Sequence, residues 1–214
     1  MAARRAYGGI SADQRREQRR GALLDAALDI IGTQGFSALT VMGLTRATGL
    51  NDRYFTESFD SRDDLFSALI DQLMSEMGVT IAAAVAASEP DLHSRARAAF
   101  AAVIEYLTDD PRRARVALME APANRVVSTR RREVMEFFLA LVHLQLDEHF
   151  GVERTDEVWS MAHFAGVQLF GALMETATMW LEGGLDLTRD ELIDRTTELA
   201  VNTIEYIYSA DRRG

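Results

Sequence analysis

The sequence predicts an all-α protein of about nine helices. Three observations carry this. Apolar residues recur three and four apart in segment after segment, with no run of strict alternation to mark a strand. Proline occurs only 3 times in 214 residues, where it can open helices rather than break them. Capping signatures punctuate the chain at Ser61-Arg62-Asp63-Asp64 and Thr188-Arg189-Asp190-Glu191. A hydrophobic content of 48% is enough to bury a core in a chain of this length.

A first helix is expected over residues 13–34, with Leu24, Ala27, Leu28 and Ile31 inward and Gly35 as its stop; residues 1–12 read as a mobile arm. Val41, Leu44, Thr45 and Thr48 then lie on one face of a short helix. Gly49-Leu50-Asn51 breaks it, because Gly49 tolerates a left-handed turn and Asn51 can cap the next helix. In that helix Phe55 and Phe59 point inward, leaving Arg53, Tyr54, Glu57 and Ser58 outward. A long helix over 62–87 follows, lined by Leu65, Leu69, Leu73 and Met77. It is long enough to leave the first domain and enter the second, which makes it the natural coupling element.

Ser88-Glu89-Pro90 marks a break, with Pro90 placed for the first turn of the next helix, whose stripe is Phe100, Val103, Ile104 and Leu107. Asp109-Asp110-Pro111 starts a short helix to about Glu120, and 122–128 reads as loop. Residues 130–150 read as a helix central to the core, ended by Gly151. Thr155 can cap a long helix that Gly183-Gly184 closes. The last helix is lined by Leu192, Thr196, Leu199, Ala200, Thr203 and Ile207. The division expected is a head over 1–66 and a body over 67–214.

Cysteine is absent, so disulfides, thiolate metal sites and thiol catalysis are excluded, as suits a reducing cytoplasm. The formal net charge of -10 looks wrong for a nucleic-acid binder until its distribution is followed. Acids and arginines balance over residues 1–66, so the body carries the whole deficit. Arg4, Arg5, Arg15, Arg16, Arg19 and Arg20 make the amino-terminal end locally basic against only Asp13 and Glu17. Such a molecule presents one end to DNA. Arg4-Arg5 is not followed by an apolar run, so a secretory signal is not expected and a cytoplasmic location is. Residues 158–181 approach the length of a membrane span but contain His163, Gln168 and Glu175, and are expected as a buried helix rather than a membrane contact.

Two short helices joined by a glycine-containing turn form a helix-turn-helix, whose second helix enters the major groove. The stretch from Arg20 to Leu73 also resembles the tetracycline-repressor-like (TetR) transcriptional regulators. The resemblance is carried by Ala26-Ala27, Gly35-Phe36, Thr40, Gly49-Leu50, Phe55, Phe59, Ser61 and Leu65. Tyr54 stands where that family usually has Thr, and Thr56 where it has a phosphate-contacting Tyr; Thr45 replaces Ala and Arg62 replaces Lys. The resemblance implies that Arg53, Tyr54 and Thr56 face the groove or its backbone and that Met42 occupies a base-reading slot. Arg46 and Arg62 are expected phosphate contacts, and Asp52 and Glu57 can accept from cytosine amines. Ser58 completes the expected DNA-binding set.

The four histidines form no zinc-type pair, and neither a phosphate loop nor a nucleophile elbow is found, so an enzyme, a metal site and a cofactor are not expected. The resemblance, and not the spacing, implies a pocket for a small and largely apolar effector. Phe100, Ile104, Met119, Phe137, His163, Gln168, Met174 and Trp180 are its candidates, since ligand sites are mostly apolar with a few polar groups. A homodimer is expected across a four-helix bundle, with Ala162, Gly166, Leu169, Leu173 and Ala177 facing Leu192, Thr196, Leu199, Thr203 and Ile207. The reading is a repressor released from a palindromic double-stranded operator by that effector. The alternatives are a DNA-binding dimer without an effector and a helical-bundle enzyme.

Overall fold

The computed structural model describes residues 11–120, eight residues between 132 and 143, and 156–211, with no side chain described at 156–158 or 207–211. The arm at 1–10, the loop at 122–128, most of the expected 130–150 helix, Phe137, Gly151 and Thr155 lie outside the described residues. Among the described residues all regular structure is helical.

Each start has a local cause. Helix α1 (Ala12–Gln34) opens with a capping box: Gln14 N–H donates to Ser11 Oγ at 3.1 Å, and Ser11 N–H donates back to Gln14 Oε1 at 2.8 Å. After a 3-10 turn (Phe36–Ala38), α2 (Val41–Thr48) is capped by Thr40, whose Oγ1 accepts from Gly43 N–H at 3.0 Å. Helix α3 (Asp52–Thr56) is capped by Asn51, and α4 (Arg62–Ala87) by Ser61, whose Oγ accepts from Asp64 N–H at 3.0 Å. Helix α5 (Leu92–Asp109) starts two residues later than Pro90 suggests, because Asp91 is the better cap and accepts from Ser94 N–H at 2.9 Å. Helix α6 (Pro111–Ala114) runs on into a π-helical turn, Arg115–Met119. Helices α7 (Asp156–Leu181) and α8 (Arg189–Asp211) complete the described chain. At the start of α8 the Thr188–Glu191 box forms as expected, and its hydrogen bonds from Thr188 hold the Glu191 carboxyl below the ordinary carboxylate range.

The chain divides into two compact units, residues 1–72 with 111–120, and 73–110 with 121–214. The segment 111–120, which the sequence reading placed in the body, therefore groups with the head.

The first unit is built on α1. Leu23, Leu24, Ala27, Ile30 and Ile31 are buried on it, a wider stripe than expected, because α2, α3 and α6 all pack against α1. Leu28 is only half-buried. Leu39, Leu44, Phe55, Phe59, Leu65, Phe66, Leu69 and Ile70 complete this core. Among the described residues α4 alone is long and apolar enough to cross a membrane, and the head's core takes up its Leu65, Phe66, Leu69 and Ile70.

Segment 111–120 reaches α1 through one gap. A Cβ on Gly32 would lie 2.8 Å from Arg112 Cα, so only glycine admits the α6 backbone there. Arg112 Nη1 also reaches Asp29 Oδ1 at 3.3 Å, and Glu120 Oε2 accepts from Phe36 N–H at 3.0 Å. Gly32→Ala sets a helix-propensity gain of about 1 kcal/mol against overpacking of typically about 1–3 kcal/mol. Backbone cannot yield as a side chain would, so overpacking wins, with a net loss of up to about 2 kcal/mol. The expected result is a lower urea midpoint at unchanged m; an unmoved midpoint contradicts it.

In the second unit α5 and α7 each pack on α8. Phe100, Ile104, Tyr106 and Leu107 of α5, Phe170, Leu173 and Ala177 of α7, and Leu192, Ile193, Ala200, Val201 and Ile204 of α8 are buried. Thr197, fully buried, satisfies its hydroxyl by donating to the Ile193 carbonyl at 2.8 Å. Arg97 of α5 pairs with Asp194 of α8 at 2.8 Å, and Trp180 Nε1 donates to the Leu187 carbonyl at 2.7 Å.

Candidate nucleic-acid interface

The turn between α2 and α3 is fixed by three local devices. Gly49 adopts φ 69°, the left-handed conformation that a side chain disfavours. Thr48 Oγ1 donates to the Leu44 carbonyl at 2.7 Å and accepts from Leu50 N–H at 3.1 Å, so one hydroxyl spans the corner. Asn51 Oδ1 accepts from Arg53 N–H at 3.0 Å and starts α3. Phe55 and Phe59, with ring centroids 6.1 Å apart, anchor α3 to the core as expected.

This anchoring decides which side chains stay outside. Met42 is 73% exposed, and Arg46 lies one turn further along the same face of α2. Asp52, Arg53 and Thr56 are exposed on α3, while Tyr54 and Ser58 are half-buried. Arg53 Nε pairs with Glu57 Oε1 at 2.8 Å, an exposed pair whose direct worth to stability is small. Thr56 Oγ1 donates back to the Arg53 carbonyl at 3.0 Å. Arg62 is exposed but already committed in part, since its Nη1 donates to the Leu39 carbonyl at 2.8 Å and ties α4 to the residue before α2's cap. A guanidinium has five donors, so a phosphate can still be taken.

The arginines of α1, expected only as part of a basic amino-terminal end, have specific partners on this surface. Arg16, Arg19 and Arg20 lie against α3 and the turn after it: Arg16 Nη2 donates to the Glu57 carbonyl at 3.1 Å, the Arg19 guanidinium sits 4.5 Å from the Tyr54 ring centroid, and that of Arg20 5.0 Å from Phe59's. Their spacing of three and four was the available signal.

Residues 23–69 match the sequence profile described as bacterial regulatory proteins, tetR family. The match covers the helix-turn-helix and the residues on either side of it, so the likeness to that family is one of this segment. No curated protein sequence matches this chain. Among solved structures, the fatty acid degradation regulator FadR of Bacillus halodurans is similar at 20% identity, with a TM-score of 0.69, over 84% of this chain and 96% of that one. FadR of Bacillus subtilis in complex with stearoyl-CoA is similar at 18% identity and TM-score 0.67, covering 87% and 96%. A TetR-like transcriptional regulator from Rhodococcus sp. RHA1 is similar at 18% identity and TM-score 0.65, covering 89% and 96%. At these identities the likeness is one of fold.

The expected effector residues do not share one environment. Phe100 and Ile104 are buried on α5, and Met174 and Trp180 are half-buried. His163 and Gln168 are exposed on α7, Met119 is 37% exposed and belongs to the first unit, and Phe137 lies outside the described residues. Among the described residues no group of three or more metal-binding side chains is placed to hold an ion.

The α7 face expected for dimerisation is spent inside the chain. Ala162, Gly166, Leu173 and Ala177 are buried and Leu169 is half-buried. A methyl group on Gly166 would overlap Leu139 Cδ2, so this glycine serves a contact within the subunit. The exposed stripe of α7 lies about one residue round: Met161, Phe164, Gln168, Ala172, Glu175 and Met179. On α8, Leu199 is exposed and Thr196 and Thr203 are half-buried, but Leu192 is buried in the core of the second unit, and the side chain of Ile207 lies outside the described residues.

Proposed function

We infer that this protein is a transcriptional regulator, a cytoplasmic homodimeric repressor that reads a near-palindromic operator through α3 and leaves it when an apolar effector binds the second unit. The observation that carries the DNA part is the cluster of exposed Met42, Arg46, Arg53 and Thr56 on a capped helix-turn-helix, with three α1 arginines against α3 and its C-terminal turn. Phosphate contacts give affinity and salt dependence, and base contacts give preference. Selection from a random duplex library at low salt should enrich two half-sites about 34–36 Å apart or a little more. Arg46→Ala should weaken binding to all sequences and flatten the salt slope by about one ion per lost contact. Arg53→Ala should instead cost about 1–3 kcal/mol of discrimination at one base position. A wild-type chain that enriches nothing ends this reading.

The effector part rests on the buried apolar face of α5 at Phe100 and Ile104 with the half-buried Met174 and Trp180. His163, Gln168 and Met119 are left out of it. Stearoyl-CoA, the ligand of one similar protein, is the first compound to test, because its chain matches an apolar wall. Helix α4 is the proposed route to the head, since one continuous helix contributes residues to both units. A ligand hundredfold above its Kd adds about 2.7 kcal/mol, which for a chain of this size raises Tm by about 5–10 °C. The same ligand must lower operator affinity, because it acts only by preferring one conformation. If neither long-chain acyl thioesters nor other apolar compounds move Tm, the protein is a DNA-binding dimer without an effector.

A further inference from the structure

Helix α3 has only five residues, too few for the backbone alone to fix the side chains it shows to a duplex. It is held from outside by one face of α1. Arg16, Arg19 and Arg20 follow one another at spacings of three and one, and each meets a different group of the segment 54–59. Arg16 supports the carbonyl of Glu57, and the Glu57 carboxylate in turn holds Arg53. Arg19 covers one face of Tyr54, the residue that stands where related heads usually carry threonine.

A tyrosine on a short exposed helix has several side-chain arrangements open to it. A guanidinium over its ring favours the one arrangement that keeps the stack. We propose that Arg19 is a specificity-determining positioning residue: by stacking on Tyr54 it selects which arrangement of that ring meets the bases. This rests on the reading that α3 enters the groove. It differs from a phosphate contact in what it predicts. A phosphate contact changes affinity for every sequence alike, whereas a positioning residue changes preference, and only at the bases that its partner reads.

The test is a random-duplex selection on the full chain with Arg19→Gln, Arg19→Lys, Tyr54→Leu and the Arg19→Gln/Tyr54→Leu double variant. Arg19→Gln should relax preference by roughly two- to fivefold, the scale of an exposed cation–π contact. The relaxation should fall at the same base positions that Tyr54→Leu relaxes. Arg19→Lys should restore part of it, and the double variant should match Tyr54→Leu alone. Arg19→Met, which keeps the apolar stem, repeats the measurement if Arg19→Gln folds poorly. The proposal is overturned if Arg19→Gln lowers binding to all sequences equally with a shallower salt slope, if it matches wild type, or if its changes fall at other positions. A wild-type chain that enriches no sequence is a separate result, and removes the DNA reading beneath the proposal.

Discussion

Phe164→Arg is expected to leave the protein monomeric and to weaken operator binding by about 10²–10⁴-fold, the advantage that joining two half-site readers confers. Phe164 is 65% exposed one turn into a stripe that begins at Met161 and ends at Met179, both themselves over a third exposed. Isolated surface apolar groups need no explanation, but a stripe with helical spacing along 161–179 does. On α8, Leu199 at 56% and Tyr206 at 68% exposure make a second such face. Two copies related by a two-fold axis would bury all four faces as a helical bundle. In an isologous interface an arginine at 164 enters twice, so each dimer would have to bury two added charges. Light scattering at micromolar protein should show the change of mass, and anisotropy on the selected duplex the loss of affinity. A wild-type monomer, or a Phe164→Arg dimer, sinks the assignment of this face.

The contrast between that face and the one expected from sequence is instructive. Small residues at 162, 166 and 177 announce a close helix approach, and the approach exists. What spacing cannot say is which surface comes close, and Leu139 of the same chain occupies the place expected for a second copy. The helix-turn-helix was legible for the opposite reason. Thr40, Gly49, Asn51 and Ser61 act within a few residues of themselves, so their caps and the left-handed turn follow from local chemistry alone. Docking of 111–120 into the head was not legible. Gly32 looks like any mid-helix glycine until Arg112 is beside it, and the π-turn at 115–119 closes through a Glu120 N–H to Arg115 carbonyl bond that no capping pattern marks. The arginines at 16, 19 and 20 were visible as charge, but their partners on α3 and the turn after it depend on how α1 crosses them.

The largest loss of stability is expected from Phe66→Ala. Phe66 is fully buried at the start of α4, with its ring centroid 4.9 Å from that of Phe36 and the planes tilted by 50°. Phe36 is itself tied down, since its N–H donates to Glu120 Oε2. Neighbours held in this way cannot collapse freely into the space a phenyl ring leaves, so the cavity persists. Loss of transfer energy plus the cavity amounts to about 3–5 kcal/mol. That is a large fraction of the about 5–15 kcal/mol by which a domain is stable. The loss falls on the first unit, because Phe66 lies among its residues. Denaturant unfolding followed by circular dichroism should therefore separate into two transitions, the earlier one shifted and the later one near its wild-type midpoint. Operator binding should disappear across the earlier transition and not the later. A single transition at the wild-type midpoint would show that the Phe36–Phe66 contact does not hold the head together, and the account of the head's core would have to be rebuilt around α1.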